Sequence, residues 1–256
     1  MPRFPLTDWQ AEQARLTVFP MPDATTRSAD WWQTVTDSQP DETTMNPKKG
    51  SGLIQGAFGP GKLILRLEPD RIDWVLAPPE RDQDELAVAS EFPILGPAVE
   101  MVSAFSAIAE KWLARDDLPA IARIAFGAVL NHPETDRGTG YLRLPDYVPV
   151  RVNPESSDFL YQVNLPTVPS ATGIEGLRLN RLSKWSVAAW KGIALRITGT
   201  AVQTQSVPAM FALRVELDIN TVSTFTGPIP RARLGDIYRE LVAAGQAIAA
   251  DGVVAQ

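Results

Sequence analysis

Residues 56–63, GAFGPGKL, carry the spacing of a phosphate-binding loop: Gly56, Gly61 and Lys62 reproduce G-x-x-x-x-G-K. That chemistry needs a Ser or Thr next, to hold magnesium, and Leu63 stands there. It also needs a following helix whose first N–H groups face the phosphates. The residues that follow, LILRLEP, alternate as a strand does, and Pro60 removes one N–H from the cradle. The segment therefore reads as a Gly-Pro-Gly hairpin turn. His132, the only histidine, lies in NHPETD beside Glu134 and Asp136. The three could form an acid/base or metal cluster, but a metal usually takes three or four ligands and no second imidazole exists. The simpler reading makes Asn131, Pro133 and Asp136 a strand end and turn caps. No metal and no cofactor is expected.

Carboxylate pairs can do acid–base chemistry without His or Cys. Asp70 and Asp73 flank Arg71, and Glu216 and Asp218 share one strand face. Arg66, Arg71, Arg196 and Arg214 fall on the same faces, so cross-strand ion pairing on a solvated surface explains them. A hydrolase or isomerase would use Asp73, Glu134 or Asp136 as base. It requires at least two of these in one concave pocket with an Arg or Lys. Arg178, Arg181, Lys184 and Lys191 interleave with Trp185 and Trp190. Indoles that stack bases and cations that hold phosphates are ingredients of nucleic-acid binding. The alternative packs the tryptophans under a helix and leaves the cations wet.

Trp31 and Trp32 follow Ser28-Ala29-Asp30, a helix N-cap region. Adjacent helical residues face about 100° apart. One indole can then enter the core while the other reaches a neighbouring surface, where exposed Trp is typical of interface hot spots; packing of both in the core or under a loop is the favoured alternative. Trp31 and Trp32, with Lys48 and Lys49 of the 39–52 loop, are the candidate partner contacts.

The absence of cysteine removes disulfides, thiolate catalysis and Cys-ligated metals. Hydrophobic residues make up 45% and charged residues 21%, so a proper core can form. The net charge of −6 opposes broad binding to phosphate backbones or anionic membranes. The opening MPRFPLTDWQAEQ lacks an apolar signal region, and no long uninterrupted apolar run predicts a membrane span. A cytoplasmic location is expected.

Periodicity supplies the elements that must position these residues. Ala98, Val102, Phe105, Ile108, Ala109, Trp112 and Leu113 recur at helical steps, predicting a helix from after Pro93 to about Arg115. Leu234, Ile237, Tyr238, Leu241, Val242, Gln246 and Ile248 predict a second from about Arg231 to Ala250. Alternation predicts strands around 14–19, 63–67, 72–76, 120–131, 159–165, 193–197 and 213–219. One-sided alternation implies antiparallel sheet with one wet face. Short helices are expected near 29–37 and 136–144. Residues 177–190 lose the alternation, and a bulge near Asn180–Ser183 would explain it. The Gln39–Gly52 segment reads as loop, with DSQPDETTMNPKKG the least structured stretch.

FALRVELDINTVS followed by RARLGDIYRELVAAGQAIAADG resembles a sporadically distributed family of uncharacterised bacterial proteins of this length. The family pattern is a strand with an acidic step, then a helix that packs back. The likeness covers about a third of the chain. The aromatics usual after that helix are replaced by Gly252-Val253-Val254-Ala255. The resemblance implies a bacterial, cytoplasmic α+β protein and transfers no functional residue.

The expected fold is α+β: mostly antiparallel sheet with two long amphipathic helices on it. The same order of elements occurs twice, which suggests similar halves at 1–118 and 119–256 or one domain with internal pseudo-symmetry. The favoured function is a non-catalytic module that binds a protein partner or associates with itself. A carboxylate enzyme is the second reading. A nucleic-acid accessory protein acting through Arg178, Arg181, Lys184 and Trp185 is the third.

Overall fold

A computed structural model describes residues 3–22, 30–79, 92–170, 173–190, 193–198, 201–206 and 209–253, with 193–198 and 201–206 considered as backbone only. The first half contains β1 (Gln10–Pro20), α1 (Trp31–Thr36), β2 (Glu42–Asn46), β3 (Ser51–Phe58), β4 (Gly61–Glu68) and β5 (Arg71–Ala77). The short β6 (Gly96–Pro97) and α2 (Ala98–Leu113) follow. The second half contains β7 (Ile121–Glu134), α3 (Arg137–Arg143), β8 (Leu160–Asn164) and β9 (Leu179–Trp190). It continues through β10 (Ile193–Thr198), β11 (Ala201–Ser206), β12 (Met210–Thr221) and α4 (Leu234–Asp251).

The main sheet has the order β2-β3-β4-β5-β1-β7-β12-β9-β8, with β6 also on β1. Its pairings are antiparallel. β10 and β11 form a separate two-stranded hairpin. In each half the last long strand returns beside the first: β5 lies against β1, and β12 against β7. The β1–β7 pairing joins the halves into one sheet.

Alternation decides which face is buried. In β4, Leu63, Leu65 and Leu67 are buried while Arg66 and Glu68 are exposed. In β12, Val215, Leu217 and Ile219 point inward, and Arg214, Glu216, Asp218 and Asn220 stay partly solvated. The described helices cover one face only: α2 packs on β1, α4 on β7 and β12, and α3 on β12 and β9. The stripe that predicted α2 is the one it buries: Ala98, Val102, Phe105, Ile108, Ala109, Trp112 and Leu113. Pro97 sits just before it, where a missing N–H matters least.

Two aromatic groups anchor the core. Trp74 stacks on Trp32 with centroids 6.0 Å apart and meets Trp112 edge-on at 6.1 Å. Tyr147 stacks on Trp185 at 4.9 Å, and Trp9 meets both edge-on. Tyr147 also holds two distant parts of the chain. Its Oη accepts from Phe4 N (2.7 Å), and its carbonyl accepts from Val253 N (2.7 Å).

Several expectations are corrected here. Trp31 and Trp32 do not divide between core and surface: they are 0% and 4% exposed. Both α2 and β5 present tryptophans to α1, so both indoles find aromatic partners. The 39–52 segment is not all loop, because β2 forms the sheet's edge there with every residue exposed. β9 has no bulge and keeps unbroken register with β12 from Leu179↔Thr221 to Trp190↔Met210. The apparent phase break has another cause. Ser183 is buried on the helix side, and Leu182 lies on the open side. The Gly59–Pro60 turn joins β3 to β4 as expected, with Gly59 at φ 54°, a left-handed conformation that suits glycine.

Candidate binding face on the open side of the sheet

With the helices on one side, the polar residues of the central strands share the other. Register aligns them across the sheet. Arg15 of β1 lies opposite Val75 and Gly127, and Gly127 lies opposite Asp218, which faces Leu182. One row along, Asp73, Thr17, Ala125, Asn220 and Asn180 are successive partners. Ala125, Gly127 and Val129 give β7 a floor of small side chains between longer ones.

Two adjoining depressions occupy this floor. One, of about 280 Å³, is lined by Gln13, Arg15, Val129, Leu182, Lys184 and Glu216, among others. The second, of about 230 Å³, is lined by Arg15, Thr17, Phe19, Arg71, Arg123 and Asn220, among others. Arg15 and Asp218 belong to both. A Cβ added at Gly127 would lie 3.1 Å from Arg15 Nη2 and 3.2 Å from its Nε. The guanidinium therefore lies across the glycine, in space that any other residue would fill.

Most charges on this face are matched. Arg214 pairs with Glu12, and its Nε donates to Glu216 (3.1 Å). Asn131, buried beneath, donates to the same Glu12 carboxylate at 2.9 Å. Lys184 stands 3.9 Å from Glu216. Asp73 is buried, accepts from Thr17 Oγ1 at 2.5 Å and lies 2.7 Å from Arg71 Nε. Cross-strand ion pairing holds for Arg214 with Glu12 and Lys184 with Glu216, whereas Arg71 and Asp73 pair within β5 and Asp73 is buried rather than on a solvated face. Arg15 differs: its Nε is buried without an acceptor, and no carboxylate pairs with it among the described residues. Neither Arg15 nor Gly127 was singled out from the sequence. Alternation predicts a facing, not which residue of a distant strand will stand opposite.

The sequence-derived candidates are dispersed. Trp31 Nε1 donates to Asp117 (3.0 Å) and Trp32 stacks inside the core, so neither indole stands free on the surface. Lys48 and Lys49 are exposed in the β2–β3 turn, at the far edge of the sheet. Trp185 is 0% exposed and donates to Ser183 Oγ (3.2 Å), so it offers no base-stacking platform. Arg181 Nε donates to Leu165 O (3.0 Å), while Arg178 is exposed beyond the end of β9. Trp190 is partly covered by Arg214, 5.7 Å from its ring centre. Lys191 and the side chain of Arg196 lie outside the described residues.

The carboxylates of the enzyme reading do not converge. Asp73 is level with Thr17 and Ala125, whereas Glu134 is nine residues further along β7, roughly 30 Å at strand rise. Glu134 is 3.3 Å from His132 Nδ1, and the imidazole stacks on Phe4. Asp136 caps α3, accepting from Thr139 N at 2.8 Å. That backbone bond, helped by the Thr139 hydroxyl, holds the Asp136 carboxyl below its ordinary value. Among the described residues no group of three or more His, Asp or Glu could hold a metal.

A wider depression, about 540 Å³, lies between the end of α2 and the start of α4. Its arginines are engaged: Arg231 with the Asp116 and Leu118 carbonyls, Arg239 with Glu110 and Asp236. No described helix is long and apolar enough to cross a membrane. The fold and face together define an α+β protein with an antiparallel sheet, helices on one side and an open polar surface on the other. No protein-family model, curated protein or solved structure matches the chain at a significant level.

Proposed function

We propose that this chain is a non-catalytic binding protein whose partner or ligand lies along the open face, over β7. The observation that carries this reading is Arg15, a mid-sheet guanidinium lying across Gly127 with its Nε buried and unmatched. Around it the described residues supply donors, acceptors and a small-residue floor; the Thr17 hydroxyl held on Asp73 is buried, and that carboxylate also pairs with Arg71. Binding requires no more than that. The contact surface proposed from Trp31, Trp32 and the 39–52 loop gives way to this face.

We also propose that the two halves descend from one repeated unit. The stripes of α2 and α4 correspond at six positions. Ala98, Val102, Phe105, Ala109, Trp112 and Leu113 match Leu234, Tyr238, Leu241, Gly245, Ile248 and Ala249 at constant spacing, and all are buried. A charged motif repeats as well. Arg71 and Asp73, with Arg66 opposite, correspond to Arg214 and Glu216, with Lys184 opposite. This alignment makes Arg15 and Gly127 equivalent positions, and they are also partners across β1–β7. The proposed pseudo-two-fold axis then passes through the floor of the open face.

The binding reading is tested by native mass spectrometry of the protein isolated gently from its natural host. A bound species should be lost in Val129→Arg, which fills the floor, and kept in Leu142→Glu on the exposed surface of α3. The opposite pattern would overturn the proposal.

A further inference from the structure

The geometry points to an oxyanion site between Arg15 and Arg123: we propose that a carboxylate or phosphate of a small organic anion binds there. Its apolar part would lie over Val129 and Leu182. The inference rests on the open-face reading and names its ligand class.

Three guanidinium groups, Arg15, Arg71 and Arg123, line the smaller depression. Among the described residues, only Arg71 of the three has a carboxylate partner, Asp73. Arg123 donates from Nε to Thr221 O at 3.2 Å and lies 4.7 Å above the Phe19 ring, both neutral partners. The remaining carboxylate, Asp218, accepts from Asn220 Nδ2 at 3.0 Å and forms no ion pair among the described residues. The chain as a whole carries −6, so an excess of unmatched cations here runs against its overall charge. A guanidinium offers a planar fork of donors that fits a carboxylate or phosphate edge. The Nε of Arg15 is covered and has no acceptor among the described residues, so an oxyanion would meet the guanidinium's other donors where Arg15 lines the depression.

Gly127 explains why a single Arg occupies the centre. At the proposed axis an arginine on β7 would place a second cation against Arg15. Glycine removes that charge and leaves room for the guanidinium to lie flat. The adjoining depression runs from Arg15 past Val129 to Leu182 and gives the ligand's body an apolar floor.

The test is titration of the full chain with inorganic phosphate and, separately, with hexanoate, followed by NMR of the Gly127 amide and the Arg15 Nε–H. At least one anion should saturate and shift both signals. Saturation by hexanoate alone assigns a carboxylate ligand; saturation by phosphate alone assigns a phosphorylated one. Arg15→Gln and Arg123→Gln should each weaken binding about tenfold or more, while Lys48→Gln leaves it unchanged. Arg15→Lys, which keeps the charge but loses the fork, should fall between and guards against a folding defect in Arg15→Gln. The proposal is overturned if neither anion saturates, or if both glutamine variants bind like the parent. If the anions fail but the host-derived species is still lost in Val129→Arg, only the oxyanion assignment falls. If that species survives Val129→Arg, the open-face reading falls with it.

Discussion

Replacing Trp32 with Ala should cost about 3–5 kcal/mol of stability, measured by urea unfolding, because the indole is buried against Trp74. A surface contact would instead unfold like the parent. The adjacent pair Trp31–Trp32 was visible in the sequence, but not its fate. Whether the second indole is exposed depends on what β5 and α2 place beside it. Arg15 was missed for the same reason, since its neighbour Gly127 is distant in the chain. Of the three residues read as strand end and turn caps, Asn131 and Pro133 lie within β7, and Asp136 alone caps, with a pH consequence. Its pKa lies below the ordinary 3.8 in the folded chain. The cap's contribution is therefore fully present above about pH 3.8 and lost as pH falls through the lower folded value. Hydrogen exchange at the Thr139 amide should accelerate, relative to Gly140, over that acid range. Asp136→Asn should flatten the dependence, and an unchanged acid profile in that variant would count against it.

Elements with strict periodicity were legible. The α2 and α4 stripes and the β4–β5 hairpin all follow from alternating or helical spacing. β2 was not, because all five of its residues are exposed and no core face imposes a pattern. β9 was misjudged because a buried Ser183 satisfies the Trp185 N–H, so a polar residue occupies an inward position without a bulge. Position in the sheet also sets tolerance to proline. Thr44→Pro on the edge strand should change stability by no more than about 1 kcal/mol. Ala128→Pro in β7, which is paired on both sides, should prevent cooperative folding. Thermal unfolding by circular dichroism compares the two, and equal losses would contradict the assigned strand order.

At the scale of the molecule, the order of elements suggests two similar halves, which we propose from the repeated helix stripes, but says nothing of the β1–β7 seam that joins 1–118 to 119–256. Periodicity says which residues face inward and nothing about which strands meet across the sheet's middle. That seam makes the halves mutually dependent: separated near Pro119, each exposes a long central strand, β1 or β7. Neither 1–118 nor 119–256 should be a folded monomer alone, whereas the two produced together should elute as a one-to-one complex in size-exclusion chromatography. A stable monomeric half would refute the dependence. Tyr147 has a separate consequence. One residue holds Phe4 by its hydroxyl and Val253 by its carbonyl, so those two points of the backbone lie about a side chain's length apart. A short glycine-rich bridge could join them. The chain could then be opened in the loop before Pro119, a circular permutation that swaps the order of the halves while leaving every strand its neighbours.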